Sequence, residues 1–410
     1  MRLQLKLLLS LLLTLGLMLR TASAWAQSMV KVKRLNYDEA QPGIVVNEDS
    51  LEAQLQLENE DQLHLDFTHD VVTGASPTGL PQTNTVTGAS ALASKPGQGQ
   101  QFAKFHDERW ATSVGYAPLL SRTTRLDTTL HFSTERDYRS TGLTLSSAFD
   151  LNKKNTTLTP SVTIYRDRVL PSNGKPNADK NTTLYSFDIS QFLDRRNVLS
   201  LGVAVNRSDG FLTDPYKQVL VGTVAEDEVR PDHRTGESVQ VGWRSKPWEH
   251  QSLDLKLRYY RDDWGIQSGT GNASLLTELG EHWLLELFGR YYQQSKAYFW
   301  NSTFAAGDTS RYRTADPRLS TFDSTTLGLT GTYKLTENWW FELSVASYLQ
   351  LTSTGGGGGE GGGGSRGAHG VEGRDSASWP LLLVGGDTEG GSPKAFLRAT
   401  VVSGAVQYRW

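Results

Sequence analysis

The chain has 410 residues, 41 of them basic and 44 acidic, a formal net charge of −3, and no cysteine. Disulfides, thiolate metal sites, a cysteine nucleophile and an N-terminal lipid-bearing cysteine are therefore excluded. A balance this close to neutral also leaves no basic footprint for nucleic acid.

The N-terminus opens with Arg2 and Lys6, continues through the apolar run LLLSLLLTLGLML at 7–19, and reaches Ala24 and Ala26 in an A-x-A pattern. That order predicts a secretory signal peptide over 1–26. A helix of 13 residues spans about 20 Å, too short for the roughly 30 Å hydrocarbon core. The body, 27–410, loses three basic residues with the leader and is mildly acidic.

Beyond the leader the dominant signal is alternation with a period of two. Leu158, Pro160, Val162 and Ile164 oppose Thr159, Ser161 and Thr163; Leu199, Leu201, Val203 and Val205 oppose Ser200, Gly202 and Ala204. Val239, Val241 and Trp243 oppose Ser238, Gln240 and Gly242, and Leu253, Leu255, Leu257 and Tyr259 oppose Asp254, Lys256 and Arg258. These are strands with one apolar and one polar face. A soluble antiparallel sandwich shares that pattern. Segments of about ten residues, the length a tilted strand needs to cross a bilayer, favour a membrane barrel instead. Aromatics near segment ends point the same way: Trp110, Tyr116, Phe149, Trp243, Tyr259, Tyr333, Trp339 and Phe341 suit interfacial girdles.

Strands are predicted near 50–58, 62–70, 108–117, 123–133, 138–149, 156–166, 182–190, 197–206, 237–244, 251–262, 272–280, 282–292, 324–335, 338–350 and 395–410. Short turns alternate with long connections, the longest being 71–107, 207–236, 293–323 and 351–394. If short turns are periplasmic and long loops external, the last strand descends, and so does the one at 50–58. One more strand must rise first, and SMVKVKRLNYD (28–38) is the candidate, with a periplasmic tail or plug as the alternative. The expected fold is an all-β, transmembrane, antiparallel up-and-down barrel of about 16 strands, with a range of 14 to 18. The terminal strand sets Val402, Val406, Tyr408 and Trp410 on one face, an aromatic edge that must pair to close the barrel and that resembles the signal read by barrel-assembly machinery. The tract at 355–364, nearly all glycine, lacks the strand–helix context and lysine of a phosphate loop and reads as an external tether.

Five segments carry a resemblance: DVVTGASPTG (70–79), PDHRTGESVQVGW (231–243), YYRDDWGIQSGTG (259–271), RYYQQSKAYFW (290–300) and DPRLSTFDSTTLGL (316–329). Together they resemble a bacterial family known only as a domain of unknown function, whose members are secreted, predicted outer-membrane β-barrels. The resemblance covers about 35 to 410. It implies location and architecture and brings no catalytic residue.

Wall polarity then assigns the lumen. His64, Asp66, Arg125, Asp127, His131, Asp254, Lys256, Arg258, Glu286, Arg290 and Glu342 are expected to face inward, as ion-pair ladders or as the lining of a water-filled pore. His64 and Asp66 with His69 suggest a metal site, but His69 has the opposite parity. Asp127, His131 and Ser133 share a row, yet every two residues along a strand advance it by about 6.6–7 Å, beyond direct hydrogen bonding, so a hydrolase would need partners on neighbouring strands. Arg261, Asp262 and Asp263, with Asp316, Arg318 and Asp323, are expected at the external rim. The sequence thus predicts an outer-membrane pore for small hydrophilic solutes. The alternatives are a closed barrel serving a multi-protein envelope system and, third, a barrel enzyme. Expected partners are membrane lipids, lipopolysaccharide, the assembly machinery and envelope proteins; no cofactor, no metal and no catalytic residue is assigned.

Overall fold

A computed structural model describes residues 28–40, 43–57, 59–81, 100–352 and 395–410, so the leader and the glycine tract lie outside the described residues. Sixteen long strands form the wall. They are β1 (Met29–Glu39), β2 (Ile44–Gln56), β3 (Gln62–Pro81), β4 (Gln100–Ala117), β5 (Thr124–Thr134), β6 (Tyr138–Leu151), β7 (Thr156–Val169) and β8 (Ala178–Phe192). The second half comprises β9 (Asn197–Gly210), β10 (His233–Trp248), β11 (Gln251–Asp262), β12 (Gln267–Leu279), β13 (Trp283–Gln294), β14 (Phe322–Lys334), β15 (Trp339–Thr352) and β16 (Ala395–Arg409). Each pairs antiparallel with its sequence neighbours, and β1 pairs with β16, Val30 opposite Tyr408 and Val32 opposite Val406. The ring is closed, which satisfies every edge without solvent. Helix is confined, among the described residues, to two three-residue turns.

The sixteen-strand count and a strand over 28–38 are borne out. Several strands run longer than their apolar pattern: β2 starts at Ile44 rather than near 50, and β3 and β4 continue to Pro81 and from Gln100. Alternation reports only the stretch that faces apolar surroundings, whereas the ladder of backbone bonds continues past it.

Register places the eight aromatics named above on the outer face, with the well-exposed Leu199, Leu201, Val203, Val205, Val241 and Leu257 between them. An outer-membrane-type barrel exposes such a band where a soluble protein would bury it. Val402, Val406 and Tyr408 share this face. Trp410 stacks on Tyr408, and its backbone exchanges hydrogen bonds with Ser28, which ties the start of β1 to the end of β16.

Short turns gather at one rim. Asp61, in the β2–β3 turn, accepts from the Tyr116 hydroxyl at 2.5 Å and from the Leu119 amide at 2.8 Å, tying two adjacent turns. These bonds hold its carboxyl below the usual range. In the β12–β13 turn Gly280 adopts φ 67°, a conformation that favours glycine.

Candidate functional site

The inner wall is built by side chains that lie flat across glycines. His64 on β3 passes over Gly115 on β4, where an added Cβ would sit 1.8 Å from its ring, and shares a 2.8 Å hydrogen bond with Thr129 on β5. Thr129 donates to Asp127 at 2.8 Å, and the Asp127 carboxylate is 3.8 Å from the His64 ring. Tyr165 likewise crosses Gly142 to approach His131, ring centroids 5.6 Å apart. His131 joins Ser113 through Nδ1 at 3.0 Å and Thr144 through Nε2 at 2.9 Å, and Thr144 continues to Thr163 at 2.9 Å. Asp127 therefore serves His64 and not His131. Arg125 donates to the Ala117 and Glu60 carbonyls at the lower rim. Asp66 stands opposite Glu52 in the β2–β3 ladder.

The other inward residues gather on β10–β14. Arg244, Asp254, Lys256, Glu286 and Arg290 border one open cavity of about 840 Å³. Arg244 donates twice to one oxygen of Asp254, at 2.9 and 2.7 Å, while Lys256 stands 3.5 Å from the other. Arg258 and Arg290 each lie 5.9 Å from the ring of the tyrosine two residues on, Tyr260 and Tyr292. Glu342 reaches past β16 to Lys31 on β1, 3.0 Å away.

Both signs line each side of the lumen, unevenly: Lys31, Arg109 and Arg125 stand among the acids of β2–β5, and Asp254 and Glu286 among the bases of β10–β13. Glu48 and Glu52 on β2, Asp66 on β3 and Asp127 on β5 occupy one wall. Lys256 and Arg258 on β11 and Arg290 on β13 occupy the other, and β3 and β11 are eight strands apart in the ring of sixteen. Asp254 and Glu286 lie nearer the lower rim of the basic wall, and Lys33 on β1 flanks the acidic one.

Two external loops, 211–232 and 295–321, form a folded cap. A hairpin, Gln218–Val221 with Val224–Asp227, bridges to Phe304, and Val229 and Arg313 exchange backbone bonds of 3.0 and 2.8 Å. One apolar centre contains Trp264, Ile266, Ala297, Phe299 and Leu319; a second contains Val219, Val221, Phe304 and Ala315. The hairpin leaves the ring between β9 and β10 yet lies against β3, seven strands from β10, so it crosses the mouth. Tyr216 adds a tie to the β5–β6 turn, its hydroxyl donating to Asp137 at 2.6 Å.

Buried charge holds the cap. Glu228, with no exposed side-chain surface, is 2.7 Å from Arg230, which is 2.8 Å from Asp316; Asp316 in turn pairs with Arg318, and Arg318 with Asp214 at 3.0 Å. Burial pushes the Glu228 carboxyl up against the pull of Arg230. Burial works on Asp316 the same way, but Arg318, Arg230 and Lys217 overcome it and hold that carboxyl well below the usual range.

The chain matches the family described as "Protein of unknown function (DUF3570)" over residues 14–180 and 172–365. The chain belongs to that family. No curated protein matches it. Among solved structures it is similar to the siderophore receptor PirA from Pseudomonas aeruginosa, at 12% identity and a TM-score of 0.40, over 79% of this chain and 56% of that one. A mutant of the ferric enterobactin receptor PfeA from the same organism gives 10% identity and 0.44, over 80% of this chain and 55% of that. A bacterial polysaccharide outer membrane secretin gives 10% identity and 0.43, over 93% and 98%. The chain thus spans little more than half the length of the two receptors, and the likeness is one of barrel fold alone.

Sequence reasoning placed the lumen residues by parity but missed the cap's core, Glu228, Arg230 and Thr314 above all. Of the rim charges it grouped by proximity in the chain, Asp316 does pair with Arg318, and also with Arg230, whereas Arg261 pairs with Glu237 and Asp262 with Arg234. His69 faces outward, stacked on Trp110 and bonded to Glu108, apart from His64 and Asp66.

Proposed function

We propose that this protein is exported behind a cleaved leader and sits in the bacterial outer membrane, among lipopolysaccharide, as a pore for small hydrophilic solutes. The observation that carries the reading is the charged inner wall, with Glu48, Glu52, Asp66 and Asp127 on one side and Lys256, Arg258 and Arg290 on the other, and charges of the opposite sign among each set. Charges on facing walls stay hydrated only if water fills the space between them, since burying them unpaired would cost several kcal/mol each. Such a lumen draws in solutes that carry charge or a dipole and is weakly selective between the two signs. The chain Ser113–His131–Thr144–Thr163 ends in hydroxyls, with no carboxylate on the imidazole, which favours a pore over a hydrolase. The test is single-channel recording of the folded protein in planar bilayers. Conductance is expected, and Lys256→Glu with Arg290→Glu should move its reversal potential toward cation preference. A folded barrel that carries no current would sink the proposal.

A second reading, a closed barrel that anchors an envelope assembly, draws on the cap, whose hairpin lies across the mouth. It predicts a partner recovered with the detergent-solubilised protein and no current in the same recordings.

A further inference from the structure

The outer wall carries a polar patch on β1 and β2, which continues to the outward His69 on β3 and its partner Glu108 on β4. On β1 the outward positions after Val30 and Val32 are Arg34, Asn36 and Asp38, and on β2 Asn47 and Asp49 face the same way, Arg34 opposite Asp49 and Asn36 opposite Asn47. On β9, β10 and β11 the corresponding height is apolar, with Val203, Val239 and Leu257. Depth follows from register. Val30 is level with Tyr408 in the lower aromatic girdle, and Arg34 lies four residues further up. At about 2.5 Å of height per tilted residue, Arg34 stands ~10 Å above that girdle, inside a band ~25 Å tall.

The pair is incompletely satisfied within one chain. Arg34 Nε is 3.8 Å from Asp49, too far for a hydrogen bond, and the two side chains are 48% and 34% exposed. Acyl chains offer nothing to either group. Arginine can extend toward headgroups, but the short aspartate cannot.

We infer that this face docks against a second copy of the same chain in the plane of the membrane. The patch holds both signs and is complementary to itself. A twofold axis between β1 and β2 brings each copy's Arg34 to the other's Asp49 and sets Asn36 and Asn47 around the axis, an isologous contact that closes at two subunits. A one-signed partner would leave one charge of the pair unmatched. The inference rests on the membrane reading of the wall and not on the pore.

The chain has no cysteine, so single cysteines report cleanly. Asn47→Cys and a control on the far wall, Val241→Cys, are expressed in outer membranes, checked for folding by heat-modifiable gel mobility, and oxidised. A disulfide-linked band at twice the chain mass is expected for Asn47→Cys and not for the control. The double change Arg34→Leu with Asp49→Leu should reduce that band at least tenfold while the barrel stays folded. Light scattering of the unsubstituted protein in mild detergent should give two chains per particle. A monomer by scattering, equal cross-linking at both sites, or cross-linking of Asn47→Cys to a different protein would each overturn the inference. Recovery of the chain in soluble extract would instead fault the membrane reading beneath it.

Discussion

Leu257 and Lys256 are neighbours that test the assignment of the two faces. Leu257 is 66% exposed and lies opposite Val241 and Gly271, at the middle of the apolar band. Lys256 faces the lumen 3.5 Å from Asp254, with 43% of its side chain exposed. Arginine at a mid-bilayer, lipid-facing position of a barrel costs about 2–4 kcal/mol. At 1.4 kcal/mol per tenfold, that makes Leu257→Arg about 30- to 1000-fold less favourably folded. Lys256→Ala removes a solvated ion pair and should cost less than about 1 kcal/mol. The assay is refolding of residues 27–410 into phosphatidylcholine vesicles, titrated with guanidinium and followed by tryptophan emission and gel mobility. Equal losses for the two variants, or a larger loss for Lys256→Ala, would refute the division into lipid and lumen faces.

Glu228→Ala strips the cap's buried network of one partner and leaves Arg230 and Thr314 without it, so the cap should loosen by about 3–5 kcal/mol while the barrel persists. Protease cleavage within 211–232 should accelerate with gel mobility unchanged, and an unaltered cleavage rate would contradict this. Glu135, in the β5–β6 turn, has its carboxyl raised by burial and then by Asp107, against Arg109, to about 6 from its ordinary 4.5. The folded state therefore favours the protonated form: the penalty is present in full above pH 6 and is relieved as pH falls toward 4.5. Protection against hydrogen exchange at 135–137, taken relative to the intrinsic rate at each pH, should be greater at pH 5 than at pH 7.5, and Glu135→Gln should flatten the difference; greater protection at pH 7.5 would reverse the argument. Gly115→Ala places a methyl in the His64 ring and should break the His64–Thr129 bond, visible as a shifted His64 imidazole resonance, while a variant with an unchanged spectrum would disprove the close approach.

The wall was legible because each of its strands meets two solvents, and a period of two writes that difference directly into the chain. Parity then says which side chains should face inward, but not what they touch. His64 finds Thr129 65 residues away by crossing a glycine on the strand between, and that contact depends on the register of three strands at once. The cap left no periodic trace. Its backbone is mostly irregular, and its central carboxylate, Glu228, is matched by Thr314 from a loop 86 residues on. A glutamate inside TVAEDEVRPDH looks like any solvated loop acid until the second loop arrives to bury it.

β1 was the hardest strand to read, and the reason is physical. An outward row of apolar residues identifies a wall strand, yet after Val32 the outward row of β1 is Arg34, Asn36 and Asp38. Its existence had to be argued from parity: a chain that starts and ends at the same rim needs an even number of strands, and the terminal strand needs a partner along its whole edge. β1 supplies it over eleven registered pairs, from Met29 with Arg409 to Glu39 with Ala399. A strand can be indispensable to closure and still be polar on its outer face only where something other than acyl chains meets that face. The weakness of the sequence signal at 28–38 and the ion pair of Arg34 with Asp49 thus have a common origin in the surface that covers β1 and β2.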